Sequence, residues 1–233
     1  MENELYLREW IYQVGSNADV DAAAAEDIWV GGGTYTWPAA AAATTIVSGS
    51  AADAAAGTGA RTVEVIGLTT GMVLARETVT LTGVAAVTLA TAFMRVLDVR
   101  VRSAGTGQTN AGLLTVAIGG TTAGLVPIGA GRLNAALYSV PADRSAYLSN
   151  VTVGAGAVTA GYLTGSLFVR PPGEAWQLLR LVEVSTGAPG RYVVDFDGLL
   201  YLAPQTDVRL SVAASVDNMV AYGSLSLMLA AAF

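Results

Sequence analysis

The chain has 233 residues, of which 53% are hydrophobic and 13% are charged, and its net charge is −6. This balance excludes an intrinsically disordered chain, which combines low hydrophobicity with high charge, and it argues against nucleic acid as a partner, because phosphates bind to basic surfaces. No Cys and no His occurs and all 12 basic residues are Arg, which excludes thiolate chemistry, histidine general bases, Schiff-base lysines and metals held by Cys or His.

Residues 1–60 are predicted to form an extended N-terminal arm with short helical turns. Residues 1–12 favour a short helix, and the glycine triplet at positions 31–33 interrupts any longer one. The arm carries three large rings, Trp29, Tyr35 and Trp37, which do not suit a free, solvated tail. We expect these rings to dock on the chain's own domain, on a neighbouring protomer or on a capsid, and they are the candidate contact residues.

Residues 61–233 contain a series of short runs in which apolar and polar residues alternate. The run at 95–102 shows the pattern most clearly, since positions 97, 99 and 101 are apolar whereas positions 98, 100 and 102 are charged. Similar runs occur at 61–68, 76–82, 113–118, 125–128, 133–140, 145–153, 162–170, 176–184, 191–196, 208–214 and 224–229. Turn-forming residues fill the gaps. The pattern predicts an all-β fold, with an antiparallel sandwich or barrel over residues 61–233 that follows the N-terminal arm, and two sheets over one apolar core are the expected form.

Two Asp-x-Asp pairs, Asp19 with Asp21 and Asp195 with Asp197, are candidates for a calcium site or for paired catalytic carboxylates. Neither pair has the ligand spacing of an EF-hand loop, and an alternating strand places Asp195 and Asp197 together on a solvated face. The glycine-rich segments lack the Lys-Ser or Lys-Thr that follows a phosphate-binding loop. We therefore predict no metal site, no cofactor and no catalytic residue.

Six segments of the chain, taken in order, carry a resemblance to a known group of proteins. They are Ile28–Pro38, Gly59–Leu68, Glu77–Gly83, Arg100–Gly112, Leu137–Arg144 and Phe168–Trp176. As an ordered set they resemble β-rich virion structural proteins of environmental tailed bacteriophages, over roughly residues 17 to 230. The resemblance implies a non-enzymatic head decoration or cement protein with a jelly-roll-like sandwich, made in the host cytoplasm and placed on the capsid surface.

The resemblance also implies the partners, which are the major capsid protein and copies of the chain itself, as a homotrimer. The acidic net charge argues against nucleic acid, and no run of about 20 mostly apolar residues indicates a membrane-spanning helix. Two alternatives stay open. One is a tail-fibre or head-fibre module that binds host-surface carbohydrate, with Trp176 and Tyr192 near Asp195 as its candidate site. The other is an enzyme that acts on polysaccharide through two carboxylates.

Overall fold

The computed structural model describes residues 9–156, 161–185 and 191–232, and for residues 191–198 it describes the backbone. Within these ranges the regular structure consists of β-strands and one short 3-10 turn at Thr70–Met72, so the predicted all-β class is confirmed. The strands divide into two compact units. Unit 1 combines Met1–Thr34 with Ala136–Phe233, and unit 2 is the continuous segment Tyr35–Ala135.

The strands are numbered in chain order. They are β1 (Glu9–Val20), β2 (Glu26–Asp27), β3 (Thr44–Ser48), β4 (Ala60–Leu68), β5 (Leu74–Thr80), β6 (Val87–Thr88), β7 (Arg95–Ala104), β8 (Leu114–Ile118), β9 (Thr121–Val126), β10 (Leu137–Ser139), β11 (Arg144–Ala155), β12 (Tyr162–Arg170), β13 (Gln177–Ser185), β14 (Arg191–Leu202), β15 (Asp207–Ala214) and β16 (Met219–Ala231).

Strand pairing in unit 1 is nested, so that the first strand pairs with the last. The antiparallel pairs are β1 with β16, β10 with β15, β11 with β14 and β12 with β13. Two further pairings, β11 with β16 and β12 with β15, join these ribbons side by side. The resulting sheets have the orders β1-β16-β11-β14 and β10-β15-β12-β13, with the short β2 beside β15. A nested ribbon rolled into two four-stranded sheets is a jelly roll, which confirms the predicted sandwich type.

The two sheets of unit 1 enclose an aliphatic core. Leu225 and Leu227 of β16 are 0% exposed, as are Leu163 of β12 and Leu210 of β15. At Gly165 a Cβ atom would lie 2.9 Å from a side-chain methyl of the facing β11, which is closer than packed carbon atoms approach each other. The sheets therefore meet there without room for a side chain, and burial of the aliphatic residues stabilises the sandwich.

Unit 2 has two smaller antiparallel sheets, β6-β3-β8-β9 and β5-β4-β7. Its core contains Ile46, Val63, Phe93, Val99 and Val116, each 0% exposed. This core comes entirely from the segment 35–135, so unit 2 has the separate hydrophobic centre expected of a domain. In chain order, unit 2 is inserted into the jelly roll between β2 and β10.

This division differs from the one expected from the sequence, which placed an arm at 1–60 and one sandwich at 61–233. Residues 9–20 are a full strand of the jelly roll, and residues 35–60 belong to unit 2. The helix expected over residues 1–12 is wrong for residues 9–12, which lie in β1, and its remainder falls outside the described residues. The reason is that β1 buries polar and small residues, Gln13 and Asn17 among them, and turns its large apolar residues outward.

Candidate interaction surface

The outward face of the sheet β1-β16-β11-β14 is formed by rows of side chains that cross the strands. The register gives four rows: Trp10, Met228, Tyr147 and Tyr201; Tyr12, Ser226 and Asn150; Val14, Ser224 and Thr152; and Ser16, Tyr222 and Gly154. The last three rows continue into β14 at Asp195, Val193 and Arg191, whose side chains lie outside the described residues. None of the described side chains in these rows is charged. We call this surface, within the part of the sheet whose side chains are described, the charge-free face.

The large side chains of the charge-free face are accessible. Trp10 is 49% exposed, Tyr12 53%, Val14 56%, Tyr201 53% and Tyr222 51%. Monomeric proteins leave single apolar residues exposed, but a contiguous patch of them marks an interaction site. The enrichment in Tyr and Trp and the depletion of charge also match the composition of the buried centre of protein interfaces.

Ring contacts hold the first row of the charge-free face in a defined arrangement. The rings of Trp10 and Tyr12 lie 6.3 Å apart and are within 14° of parallel. Those of Tyr147 and Tyr201 meet edge to face at 5.5 Å. Met228 pairs with Trp10 on one side and with Tyr147 on the other, and it is only 7% exposed. The surface is therefore pre-organised, which lowers the entropy lost when a partner binds.

The outward face of the second sheet of unit 1 is charged, and its charged side chains contact one another. The carboxylate of Asp207 accepts a hydrogen bond from Arg170 at 2.6 Å and another from the Ser139 hydroxyl. The guanidinium groups of Arg170 and Arg209 lie 4.7 and 4.6 Å from the ring centre of Trp176. Trp176 is thus engaged by two cations of its own chain. The carbohydrate site expected around Trp176 would need this cluster to open, and the side chains of its other members, Tyr192 and Asp195, lie outside the described residues.

Trp29, one of the three predicted contact residues, packs inside unit 1. Its side chain is 7% exposed, and its indole Nε1–H donates to the carbonyl of Gly32 at 2.8 Å. A Cβ atom on Gly31 would lie 2.3 Å from the indole ring, so the chain folds tightly over this ring. In this conformation Trp29 offers no surface to a partner.

Tyr35 and Trp37, the other two predicted contact residues, lie together in unit 2. Tyr35 is 5% exposed, and its hydroxyl donates to the carbonyl of Ala123 at 3.0 Å. Trp37 is half-buried, meets Tyr35 edge to face at 5.1 Å and lies 5.3 Å from the guanidinium group of Arg95. The structure places all three rings against the chain's own fold, and their contact with a neighbouring protomer or a capsid stays a prediction.

A shallow groove of about 690 Å³ in unit 1 is lined by acidic and glycine residues of the segment that follows β1. Burial alone would raise the pKa of Glu26 there, but hydrogen bonds from the backbone of Asp21, the amide of Asn17 and the backbone of Gly33 outweigh it and hold the pKa below its usual value. The carboxylate is therefore ionised at neutral pH and fastens the loop.

Metal-binding and catalytic candidates find little support in the described part of the chain. No group of three or more Asp or Glu side chains is arranged there to hold a metal ion. The side chains of Asp195 and Asp197 lie outside the described residues, so the second Asp-x-Asp pair has no geometry to report. Asp19 and Asp21 line the groove described above.

Asp53 is a fully buried acid of unit 2. Its carboxylate accepts hydrogen bonds from the Ser48 hydroxyl at 2.5 Å and from the backbone N–H groups of Ala60, Ala111 and Gly112 at 2.6, 2.8 and 2.9 Å. Burial alone would raise the pKa of Asp53, but these four donors together hold the pKa below its usual value. A carboxylate saturated in this way joins loops and has no lone pair directed at a substrate.

The comparisons with known proteins give a limited result. No protein-family model matches the chain, and no curated protein matches it. Among solved structures it is similar to the VP2 subviral particle of infectious bursal disease virus, with 9% identity, a TM-score of 0.26, and coverage of 95% of this chain and 72% of that chain. It is likewise similar to the Gx strain structure of that virus, with 8% identity, the same coverages and a TM-score of 0.27. At these values the similarity supports no inference about function.

The residues of the charge-free face are absent from the predicted site residues. The signal for β1 was present in the sequence as three large apolar residues at alternate positions, Trp10, Tyr12 and Val14. The cross-strand rows could not be predicted, because they depend on the pairing of β1 with a strand near the other end of the chain. Within the described residues, no helix is long and apolar enough to span a lipid bilayer.

Proposed function

We propose that this chain is a non-enzymatic structural protein of a tailed-phage virion, of the head decoration or cement type, which joins the head shell through its charge-free face. The observation that supports the proposal is the exposure of five large side chains, Trp10, Tyr12, Val14, Tyr201 and Tyr222, on the described part of one sheet face, where no described side chain is charged. Its partners would be the major capsid protein and further copies of itself, on the outer surface of the capsid. The homotrimer expected from the sequence stays a prediction.

A cement protein works by adding buried contact area at junctions between shell subunits. Standard protein interfaces bury roughly 1,600 Å² in total and have an apolar centre with a polar rim. On the charge-free face the aromatic and aliphatic residues are flanked by the hydroxyl groups of Ser16, Ser224 and Thr152. Such groups lose little on desolvation compared with charges, so the described part of the face is suited to burial against a partner.

Three buried Asp side chains support the non-enzymatic part of the proposal, because each is already bound by groups of its own chain. Asp98 lies 2.6 Å from Arg100 and 2.9 Å from Arg132, and Asp207 lies 2.6 Å from Arg170. Asp53 is saturated by four donors, as described above. Each of these carboxylates is engaged by donors of its own chain, whereas a catalytic acid needs access to substrate.

The proposal is tested by reconstitution on head shells that lack this protein, prepared from a phage in which its gene is deleted. Purified protein is added, and bound protein is measured after sedimentation of the shells. We expect saturable binding with a fixed number of copies per shell and an increase in the temperature at which heads release DNA.

Two variants with the same substitution sharpen this test. Val14→Arg places a charge on the charge-free face, whereas Val73→Arg places it at an equally exposed position of unit 2, since both valines are 56% exposed. We expect Val14→Arg to lose shell binding and Val73→Arg to retain it. Absence of binding by the wild-type protein would contradict the proposed function.

A second candidate function is carbohydrate binding by a fibre module, and the near-parallel rings of Trp10 and Tyr12 favour it. Sugar rings stack on such aromatic surfaces through their C–H groups, and the jelly roll also occurs in lectins. Hydroxyl groups beside the rings could supply hydrogen bonds. A glycan array separates the two candidates: binding that is lost in Trp10→Ala and kept in Trp176→Ala would support the fibre module.

A further inference from the structure

We infer that unit 2 binds the acidic unit 1 of a second copy of this chain through the outward face of its sheet β5-β4-β7, so that copies join head to tail. The inference deepens the proposed function, which counts copies of the chain among the partners, and it rests on that function in this respect. It uses a different surface from the charge-free face. Every residue of unit 2 lies in the described part of the chain.

The two units differ in net charge. Unit 2 contains six Arg and four Asp or Glu residues, a formal charge of +2, whereas unit 1 contains six Arg and fourteen Asp or Glu residues, a formal charge of −8. Copies of the chain therefore attract each other where unit 2 of one meets unit 1 of the next, and they repel each other where two acidic units meet.

The positive charge of unit 2 lies on one sheet face. Residues opposite each other on antiparallel strands share a face, and the register and the ion pairs place four arginines there with two acids. We call this set the basic face: Arg76, Arg100, Arg102, Arg132, Glu64 and Asp98. Its formal charge is +2, which equals that of the whole unit. The basic face is thus the part of unit 2 that attracts an acidic partner.

The arginines of the basic face are accessible although they are paired. Arg102 is 46% exposed, Arg132 43% and Arg100 38%, whereas their partners Glu64 and Asp98 are 13% and 5% exposed. Arg100 donates to Asp98 through Nε, and Arg102 donates to Glu64 through one terminal nitrogen. Because a guanidinium group has five N–H donors, each of these two side chains has further donors for the carboxylates of a partner.

Unit 1 offers a surface that matches the basic face. The groove of about 690 Å³ that follows β1 is lined by acidic residues, Asp19 and Asp21 among them, and by no described arginine. Val20 is buried whereas Asp19 and Asp21 are exposed, so the two acids point outward, ~7 Å apart along the chain. Arg100 and Arg102 have the same spacing along β7. Two guanidinium groups that enter the groove can therefore each meet a carboxylate.

A head-to-tail contact joins two different patches. Such contacts close into rings or continue as filaments, and the homotrimer expected from the sequence is a ring of this kind. Since the charged groups on both patches are exposed, dissolved salt should screen the attraction between them.

The first test needs no variant and measures the mass of the full-length protein by sedimentation velocity at two salt concentrations. Between about 50 and about 500 mM NaCl the Debye length falls from about 14 to about 4 Å. We expect oligomers at the lower concentration and a dissociation constant at least ~10-fold higher at the upper one. A contact made by apolar burial would not weaken in this way, so an oligomer whose mass is independent of salt contradicts the inference.

Charge reversal identifies the two surfaces. Arg100→Asp with Arg102→Asp reverses the basic face, and Asp19→Arg with Asp21→Arg reverses the groove. Each pair alone places like charges opposite each other, and the dissociation constant should rise at least ~10-fold. The chain with all four substitutions has opposite charges at the contact again and should return to the wild-type mass. Circular dichroism and thermal unfolding check that each variant is folded, and the salt test stands if one is not.

Two single variants control for the change of charge alone. Arg102→Asp lies on the basic face, whereas Arg144→Asp lies on unit 1, where Arg144 is 37% exposed and is also paired with an acid, Asp143. We expect Arg102→Asp to weaken the oligomer and Arg144→Asp to leave it unchanged. Equal effects of the two variants would show that the basic face is not the contact.

The outcomes separate this inference from the proposed function. A monomeric wild-type protein at low salt overturns the head-to-tail contact, as does a fourfold variant that stays dissociated. A monomer that retains DNA at low salt, and loses it on reversal of the basic face, also overturns it and assigns this face to a polyanion. If such a monomer still binds head shells, the proposed function stands. If the salt-sensitive oligomer forms and does not bind shells, the inference stands and the proposed function fails.

Discussion

Asp53 shows how one side chain organises the loops of unit 2. Its carboxylate collects donors from three separate parts of the chain, around Ser48, Ala60 and Ala111. Without the carboxylate, the backbone N–H groups would be buried without partners, which costs about 1–3 kcal/mol for each group left unsatisfied. Gly59 and Gly112 leave room for this approach: a Cβ atom on Gly59 would lie 2.1 Å from a carboxylate oxygen of Asp53.

The lowered pKa of Asp53 predicts a pH dependence of stability. Because its folded-state pKa lies below the unfolded value, its contribution is complete above about pH 4 and is lost as the pH falls through the folded-state pKa. We expect Asp53→Asn to lower the free energy of unfolding at pH 7 by about 1–3 kcal/mol, and the difference from wild type to shrink towards pH 2. Urea unfolding at pH 7, 4 and 2 measures this.

Asp143→Asn is the matched control for Asp53→Asn. The Asp143 side chain is 68% exposed and lies 3.6 Å from Arg144, so the same substitution there should change the unfolding free energy by less than about 0.5 kcal/mol. A penalty for Asp53→Asn that is equal at all three pH values would show that the ionised carboxylate is not what the loops require.

At the scale of single elements, β13 shows how an exposed sheet edge avoids pairing with other chains. The strand is paired with β12 on one side, and Leu178 and Leu181 are 48% and 60% exposed. A bulge between the Leu178 and Arg180 pairs interrupts the register. Arg180 pairs with Leu167, whose side chain is buried in the core, so the bulge brings a charge to the inward side of the edge. Bulges and inward charges are known protections of edge strands.

Removal of the Arg180 charge should increase the tendency of the β13 edge to pair with other chains. We expect Arg180→Val to aggregate faster than wild type on mild heating, because the run from Leu178 to Val182 of β13 would then be apolar and without a charge. Light scattering at a fixed temperature measures the rate. Arg144→Val removes an equal charge from β11, which is paired on both sides, and it should aggregate at the wild-type rate. Equal rates for all three proteins would contradict this role of Arg180.

Elements differ in how far the sequence predicts them. The run at 162–170 matches β12 residue for residue, because its buried positions Leu163, Leu167 and Val169 alternate with the polar Thr164, Ser166 and Arg170. The alternation of Trp10, Tyr12 and Val14 is a signal for β1, but it does not reveal that these residues face outward. The charge-free face was unpredictable for this reason, because exposed apolar residues break the rule that apolar residues lie inside, as is expected at interaction sites.

At the scale of the whole molecule, unit 2 is an insertion in the sequence of unit 1, and the unit 1 residues on either side of the insertion lie close together. The N–H of Ala136, where the chain returns, donates to the carbonyl of Ile28 at 2.9 Å. The carbonyl of Gly33, just before the chain leaves, accepts from the N–H of the neighbouring Asp27 at 3.0 Å. The points of departure and return are therefore close together on the jelly roll, as is common for tolerated domain insertions.

This arrangement predicts that the jelly roll folds without its insertion. Replacement of residues 35–135 by a Gly-Ser linker of about six residues, which spans up to about 20 Å, should leave a protein with cooperative thermal unfolding and β-type circular dichroism. The excised segment 35–135 should also fold, since it has its own core. Non-cooperative unfolding of the shortened jelly roll would show that the two units depend on each other.

The whole-molecule arrangement was the least predictable level. The alternating runs indicated strands and an antiparallel sandwich, but they contain no information on which strands pair. Nested pairing brings Glu9 opposite Leu229, and a boundary based on composition cannot reveal that residues near the start complete a sheet with residues near the end. The sequence could not reveal that unit 2 has a separate core, because its strands show the same alternation of apolar and polar residues as those of the jelly roll.

The nested pairing of the strands also determines the order in which they can pair during translation. Unit 2 has all of its residues once the ribosome has passed Ala135, so it can fold while translation continues. β1 leaves the ribosome before any other described strand and receives its partner β16 last. For most of translation the nascent polypeptide thus carries Trp10 and Tyr12 on a segment that still waits for its neighbour, which makes this segment a natural place for a chaperone to bind.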